Sequence, residues 1–327
     1  MKVEAYNPYA WRRALSTLNV PDPVPKAGEI LVRVHATSVN GADKEFVHGS
    51  PAYARIYGWL NPSKKVLGSD VAGEVIGLGE GVAEFDIGDR VLGELFEIFG
   101  GFGELLCAPA KRFVPIPDGL DAVRASTVPQ AGTIALQAIR GNVKRGDRVL
   151  INGAGGGAGC FAIQLAKLAG AEVTAVDTYL KADAMRDLGA DHVIDYLSED
   201  FAALDVQYDY ILDLYGTRPA RAIRRVLTPE GRYQIVGAHL TAIFSVLCGG
   251  LSGRLFSRKR LSVMAWKPTN AAITELCEMV WHGQLRAEVA KTFKPEMLIV
   301  ALETMRVGHK AGKMVIVYPD ASTNSSN

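Results

Sequence analysis

The stretch "INGAGGGAGCFAIQLAKLAGAEVTAVDTYLK", residues 151–181, constrains the chain more than any other. Five glycines fall within the seven residues 153–159, after an apolar strand pattern that ends at Ile151 and before a helical periodicity over Cys160 to Ala169. A loop so rich in glycine carries an entropy cost that ordinary turns avoid. Strand, glycine turn, helix and then a second strand ending in an acid, Asp177, is the context in which such a loop reads as a dinucleotide fingerprint. Small residues let the main chain approach a pyrophosphate, and the helix start presents unpaired N–H groups and a positive dipole end. The favoured register uses Ala154, Gly156, Gly157 and Gly159, with Ala158 enclosed between the last two and Gly159 where the helix must pack closely on the strand. Gly153 and Gly155 allow a shifted register.

A chain of 327 residues exceeds the usual single-core limit, so two domains are expected. Hydrophobic residues at 48% and charged residues at 22% give a soluble globular composition. Lys plus Arg number 36 against 35 Asp plus Glu, so nothing advertises a polyanion, and no basic stripe suggests nucleic acid. Cys107, Cys160, Cys248 and Cys277 are far apart with no CxxC pair, which fits a reducing cytoplasm and not a cysteine-rich zinc site. "MKVEAYNPYAWRR" lacks the apolar core of a signal peptide. The apolar run "IVGAHLTAIFSVLCGGL" (235–251) falls just short of a membrane span and reads as a buried strand followed by an amphipathic segment near a pocket mouth.

Residues 1–123 read as a β-rich unit, with "EILVRVHATSVN", "SDVAGEVIGLG", "GDRVLGEL" and "GELLCAPAKRFVPIP" as strands between Gly/Pro turns. From 124 to 267, short apolar strands (VLING, AEVTAVD, HVIDY, YDYILDLYG, GRYQIVG, RLSVMAW) alternate with helical stretches, which implies βαβ units and a parallel sheet. The remainder, 268–327, carries the helix "TNAAITELCEMVWHGQL", a short helix around 297–307, the strand "KMVIVYP" and the polar tail "DASTNSSN", expected to be disordered.

The run from "LGSDVAGEVIGLGEGVAEFDIGDRV" through the glycine loop to "LGADHVIDY" and the terminal "GHKAGKMVIV" resembles the medium-chain dehydrogenase/reductase superfamily. It is most similar to the zinc-free quinone oxidoreductase and enoyl reductase branch. The resemblance covers nearly the whole chain in one order. It implies a GroES-like β-barrel catalytic domain built from both chain ends, a doubly wound Rossmann domain between them and an active site in the cleft; "RLSVMAW", as the apolar edge strand of that Rossmann sheet, is expected to pair with its twin in a homodimer. Zinc-dependent relatives place a cysteine and a His-Glu pair where this chain has Asn40 and Ser69-Asp70, and the four closely spaced cysteines of the structural zinc site are missing. No metal is expected.

Quinones and α,β-unsaturated carbonyls delocalise the charge that hydride transfer creates, so they react without a Lewis acid. The resemblance implies that Asn40 and Asp43 face the nicotinamide side; Lys44 and Glu45 follow where many relatives have Trp. It also implies a substrate lid at "PAYARIYGW", with Tyr53 or Tyr57 as donor to the substrate carbonyl. Thr133 matches a position beside the nicotinamide, though a hydroxyl near a helix start also reads as an ordinary cap. Lys313 is grouped with the cofactor-binding residues. No GxSxG elbow or Cys/His arrangement suggests a nucleophile. Reduction of an activated aldehyde or ketone, and cofactor binding without turnover, are the alternative functions.

For the cofactor, two signals conflict. Asp177 suits an adenosine ribose and repels a 2′-phosphate, which favours NADH. Lys181 and Tyr196 match residues near the 2′-phosphate in some relatives, which favours NADPH. Lys181 could instead form a solvated ion pair with Asp177 or Asp183.

Overall fold

The computed structural model describes residues 1–6, 15–48, 66–237, 242–246 and 258–319. The expected lid with Tyr53 and Tyr57, part of the apolar run at 235–251 and the polar tail therefore lie outside the described residues. The chain forms two compact units. The first comprises Met1–Gln130, Pro268–Gly308 and Lys313–Asn327; the second comprises Ala131–Lys267 and His309–Gly312.

In chain order the first unit begins with β1 (Lys2–Tyr6), β2 (Leu15–Asn19), β3 (Glu29–Ser38), helix α1 (Gly41–His48), β4 (Asp70–Leu78), β5 (Arg90–Glu94), β6 (Leu105–Pro109), β7 (Phe113–Pro115) and the short α2 (Ala122–Ala125). Strand β3 alternates as its sequence requires: Ile30, Val32, Val34 and Ala36 face the core while Glu29, Leu31, Arg33 and His35 are half-buried. Helix α3 (Pro129–Ile139) leads into the second unit. There follow β8 (Arg148–Asn152), α4 (Gly157–Leu168), β9 (Glu172–Asp177), α5 (Ala182–Asp187), β10 (His192–Asp195), β11 (Tyr208–Asp213), α6 (Ala220–Arg225), β12 (Leu227–Ile235) and β13 (Arg260–Val263). The chain then returns to the first unit through α7 (Asn270–Trp281), β14 (Val289–Phe293), α8 (Leu298–Val307) and β15 (Lys313–Val317).

The strands of the second unit form a six-stranded sheet in the order β10-β9-β8-β11-β12-β13. Every pairing in it is parallel. Strand β8 is the first of the six in sequence and β11 the fourth, so the order reverses between them. That is the doubly wound arrangement, and ligands bind outside the carboxyl ends of the strands at such a reversal. The apolar β8 residues Val149, Leu150 and Ile151 are fully buried, as a strand covered on both faces demands. Strand β13 lies at the edge.

The first unit holds a seven-stranded sheet ordered β14-β15-β3-β4-β5-β7, with β6 also paired to β3. Its core joins side chains from both chain ends, including Val32, Val71, Phe102, Leu302 and Ile316. Strand β15 pairs antiparallel with β3, Val315 opposite Ser38. That pairing brings the last strand beside residues near position 40.

Among the described residues no helix is long and apolar enough to cross a membrane.

Candidate functional sites in the two units

The glycine loop closes tightly in the second unit. Gly153 has φ of +87°, a conformation that disfavours any side chain. A β-carbon on Gly159 would lie 2.3 Å from the Gly153 carbonyl oxygen and 2.5 Å from the Ala154 α-carbon. Position 159 therefore admits only glycine while α4 packs this closely on the loop. Gly156 is the N-cap of α4 and no side chain caps it, so the helix's opening N–H groups, on Gly157 and Ala158, face the loop without an intrahelical partner. Gly156 also bridges to Gly312 in the same unit.

Asp177, at the end of β9, addresses this loop directly. Its Oδ2 accepts from the Gly155 N–H at 3.0 Å and its Oδ1 from the Thr178 N–H at 2.8 Å. Lys181 Nζ lies 2.9 Å from Oδ1, and the two side chains are only 13% and 8% exposed. The pair is thus shielded, not the solvated pair considered from sequence; Asp183 instead pairs with Arg186 at 3.0 Å. The Lys181 stem crosses the loop so closely that a β-carbon on Gly155 would meet its Cδ at 2.4 Å. Tyr196 follows β10, its N–H donating to the Asp177 carbonyl at 3.3 Å, with its side chain 47% exposed. Thr133 lies in the second turn of α3, not at its start, and its hydroxyl accepts from the Trp266 indole N–H at 3.0 Å.

A chain with this loop, donors at an uncapped helix start and an acid one strand away fits a dinucleotide on geometric grounds. Gly153–Gly159 would take the pyrophosphate, and Asp177 with Lys181 would take the adenosine ribose.

The first unit gathers a different kind of site. Asn40, Asp43, Ser69, Asp70 and Lys313 are all buried. The Asn40 amide donates to Asp70 Oδ2 at 2.9 Å and to Ser69 Oγ at 3.3 Å. Its carbonyl accepts a hydrogen bond from Lys313 Nζ, which also lies 3.4 Å from Asp70 Oδ2. Asp70 further accepts from Ser38 Oγ at 2.9 Å and from the Gln130 N–H at 3.1 Å. Lys313, grouped by resemblance with the cofactor residues, stands here in the polar core of the first unit. The side-chain polar groups of Asn40 are all engaged inside that cluster.

Asp43 serves the backbone. Its Oδ2 accepts from the Asn40 N–H at 2.8 Å, three residues back, as the acid of a capping box does at a helix start. Its Oδ1 accepts from the Gly68 N–H at 3.2 Å. Burial pushes its carboxyl up to about 7, with the Asp70 charge adding to the rise, while the two N–H donors and Lys313 oppose it. Glu94 sits opposite Asp70 across β4 and β5. Burial and the Asp70 charge push Glu94 up to about 8, although its Oε1 accepts from the Phe96 N–H at 3.0 Å. Burial lowers the Lys313 ammonium's pKa, and Asp70 and Asp43 counter that. Sequence reasoning missed Ser38, Glu94 and the Asp43 cap. The N-x-x-D spacing at 40–43 is the signal that could have found the cap.

The fold and these two sites define a two-unit, dinucleotide-dependent oxidoreductase. An alcohol dehydrogenase GroES-like domain model matches residues 26–118, and a zinc-binding dehydrogenase model matches residues 188–316. A trans-enoyl reductase of Aspergillus terreus is 30% identical, the alignment covering 91% of this chain and 89% of that protein. A chloroplast envelope quinone oxidoreductase homolog of Arabidopsis thaliana is 29% identical over 95% of this chain and 96% of its own length. The solved quinone oxidoreductase of Coxiella burnetii superposes with a TM-score of 0.87 at 29% identity, covering 98% of this chain and 99% of that one. The chain belongs to the medium-chain dehydrogenase/reductase superfamily, in its quinone oxidoreductase and enoyl reductase branch.

Glu94 offers a direct test of the buried carboxyls. A carboxyl raised on folding binds more protons in the native than in the unfolded state, so its contribution to stability falls as pH climbs from about 4.5 to about 8. Glu94→Gln cannot ionise. Its melting temperature should match wild type near pH 5 and exceed it by a few degrees at about pH 8.5. Thermal scans at both values check this; an equal offset at the two would show that Glu94 does not titrate between them.

Proposed function

We propose that the protein transfers hydride from a reduced nicotinamide dinucleotide to a quinone or an α,β-unsaturated carbonyl, without a bound metal. The carrying observation is Lys313. Asn40, Ser69 and Asp70 stand where zinc-dependent relatives keep metal ligands, and the Lys313 ammonium already donates to Asn40 and lies against Asp70. A buried cation there repels a second one. The donor set is also poor for zinc, which prefers thiolate and imidazole.

When bound, the reduced nicotinamide supplies the hydride. The chain's part is to hold and orient it. The glycine loop and the start of α4 fix the pyrophosphate, and Asp177 fixes the adenosine end. Thr133, held by Trp266, is read as a contact beside the nicotinamide. Asn40 and Asp43 are read as positioning residues: one locks the polar core and the other caps α1 behind it. Tyr53 and Tyr57 remain the candidates for meeting the charge that develops on the substrate. Oxidation of NADH or NADPH should proceed with quinones and enones after prolonged chelation. Turnover of aldehydes alone, or one tightly bound zinc per chain by elemental analysis, would overturn this reading.

We read NADH as the favoured cofactor. A 2′-phosphate would approach the Asp177 carboxylate and compete with it for Lys181. At about 4 Å such a repulsion amounts to several kcal/mol at an effective dielectric near 20. Asp177→Ser should move the NADPH-to-NADH affinity ratio at least tenfold toward NADPH, the scale of one charge-assisted hydrogen bond of about 1–3 kcal/mol. Lys181→Ala should weaken NADPH alone. An unchanged ratio in Asp177→Ser would show that the carboxylate does not contact the ribose.

Assembly and location follow from two further features. The edge position of β13 suits pairing with a second copy across a two-fold axis, giving a homodimer with continuous sheets. Cys107, Cys160 and Cys277 are free, which suits a reducing compartment such as the cytoplasm. Val263→Pro should weaken the dimer; a wild-type monomer at micromolar concentration by light scattering would contradict it.

A further inference from the structure

Tyr215 lies in the loop after β11, across the strand-order reversal from the glycine loop. Two features fix where it points. Asp213, the last residue of β11, is fully buried and accepts from Asn152 Nδ2 (2.8 Å), the Tyr215 N–H (2.9 Å), the Gly216 N–H (2.7 Å) and the Tyr233 hydroxyl (2.9 Å). The neighbouring Leu214 N–H donates to the Asn152 carbonyl at 3.0 Å. These bonds tie the loop to the ends of β8 and β12. The Tyr215 ring then rests on Gly153: a β-carbon there would lie 3.1 Å from Tyr215 Cδ2 and 3.6 Å from Cε2. The same glycine whose positive φ opens the loop also makes room for the ring.

For all that anchoring, Tyr215 is 61% exposed. It stands in a setting of charge and apolar surface. Partial burial of its phenol raises the pKa, the Asp177 carboxylate adds to the rise and Lys181 opposes it, so the hydroxyl end of the ring lies within electrostatic reach of the acid read above as the ribose contact. Tyr179, Leu180 and Leu197, on the segments after β9 and β10, are also exposed. A rigidly held ring that leaves most of its surface in water beside an anionic and cationic pair matches a ligand with a flat aromatic face attached to a sugar.

We propose that Tyr215 is the stacking platform for the adenine ring of the dinucleotide. The proposal rests on the dinucleotide reading above and adds to it the residue that grips the base. Stacking on an aromatic side chain depends on the base's π-face and not on hydrogen-bond readout, so it contributes to NADH and NADPH alike. Asp177 and Lys181 then decide between the two, while Tyr215 sets the affinity they share.

Equilibrium binding separates the alternatives without turnover. NADH, ADP and reduced nicotinamide mononucleotide, which lacks the adenosine half, are titrated calorimetrically into wild type, Tyr215→Ala and Tyr215→Phe. Tyr215→Ala should weaken NADH and ADP by about tenfold, the scale of one lost base stack, and leave the mononucleotide unchanged. Tyr215→Phe should retain wild-type affinity for all three. NADH and ADP binding to Tyr215→Ala as tightly as to wild type would overturn the platform while leaving the dinucleotide reading intact. Equal weakening of the mononucleotide would also overturn it, by showing that the substitution deforms the loop. Wild type that binds neither NADH nor ADP would remove the dinucleotide reading and the platform together.

Discussion

The first unit depends on a buried ammonium. Lys313 carries a positive charge into a core where Asn40 and Asp70 meet it, 273 and 243 residues away in sequence. Taking a charge out of water costs several kcal/mol even after relaxation, and only close, well-bonded partners offset it. Each partner here is itself fixed by backbone. Lys313 begins β15, Asp70 begins β4, and Asn40 stands at the start of α1. Withdrawing Lys313 would strand the Asp70 carboxylate, a loss of about 3–5 kcal/mol for a buried pair broken from one side. The contact also orders assembly: the first unit cannot complete its sheet until the chain has passed through the second.

One ammonium balances one carboxylate. Asp43 and Glu94 share the same buried neighbourhood, and Asp70 acts on both. With Lys313 committed to Asp70, they are driven toward their protonated forms by burial and by that like charge. The same arithmetic holds in the second unit with a different result. Asp177 is met by Lys181 and by two N–H donors beside the glycine loop.

How much of this was legible in the sequence depended on range. The βαβ alternation and the glycine loop are local, and local period decides them, so β8 to β13 and the tight packing at Gly159 follow from short windows. Helix α1 was hidden within a β-rich stretch because eight residues give too little periodicity, and its cap comes from Asp43, which resemblance had assigned to chemistry. Strand β14, "VAKTF", is short and breaks alternation, with Lys291 and Thr292 exposed in succession, so only its pairing with β15 defines it. Lys313 could be read as cofactor-binding because nothing near it in sequence announces Asn40. Tyr215 was unreadable for a similar reason: its direction depends on Asp213, Asn152 and the left-handed turn at Gly153, none of which a linear pattern joins.

The two polar sites are opposite solutions to one electrostatic problem. In the first unit the charges neutralise one another inward, and Asn40 has no polar group left to offer outward. That sealing fixes the partners to one another, with Lys313 as the cluster's internal cation. In the second unit the charges are matched at the rim, where helix-start donors remain open and an anchored tyrosine stays in water. A closed cluster contributes rigidity; an open one contributes binding. Substrates whose own π-system spreads the incoming charge require no more from the closed cluster than that rigidity. The amide, hydroxyl and carboxylate of Asn40, Ser69 and Asp70 offer neither of the thiolate and imidazole ligands that zinc prefers, and acceptors of this kind react without a Lewis acid.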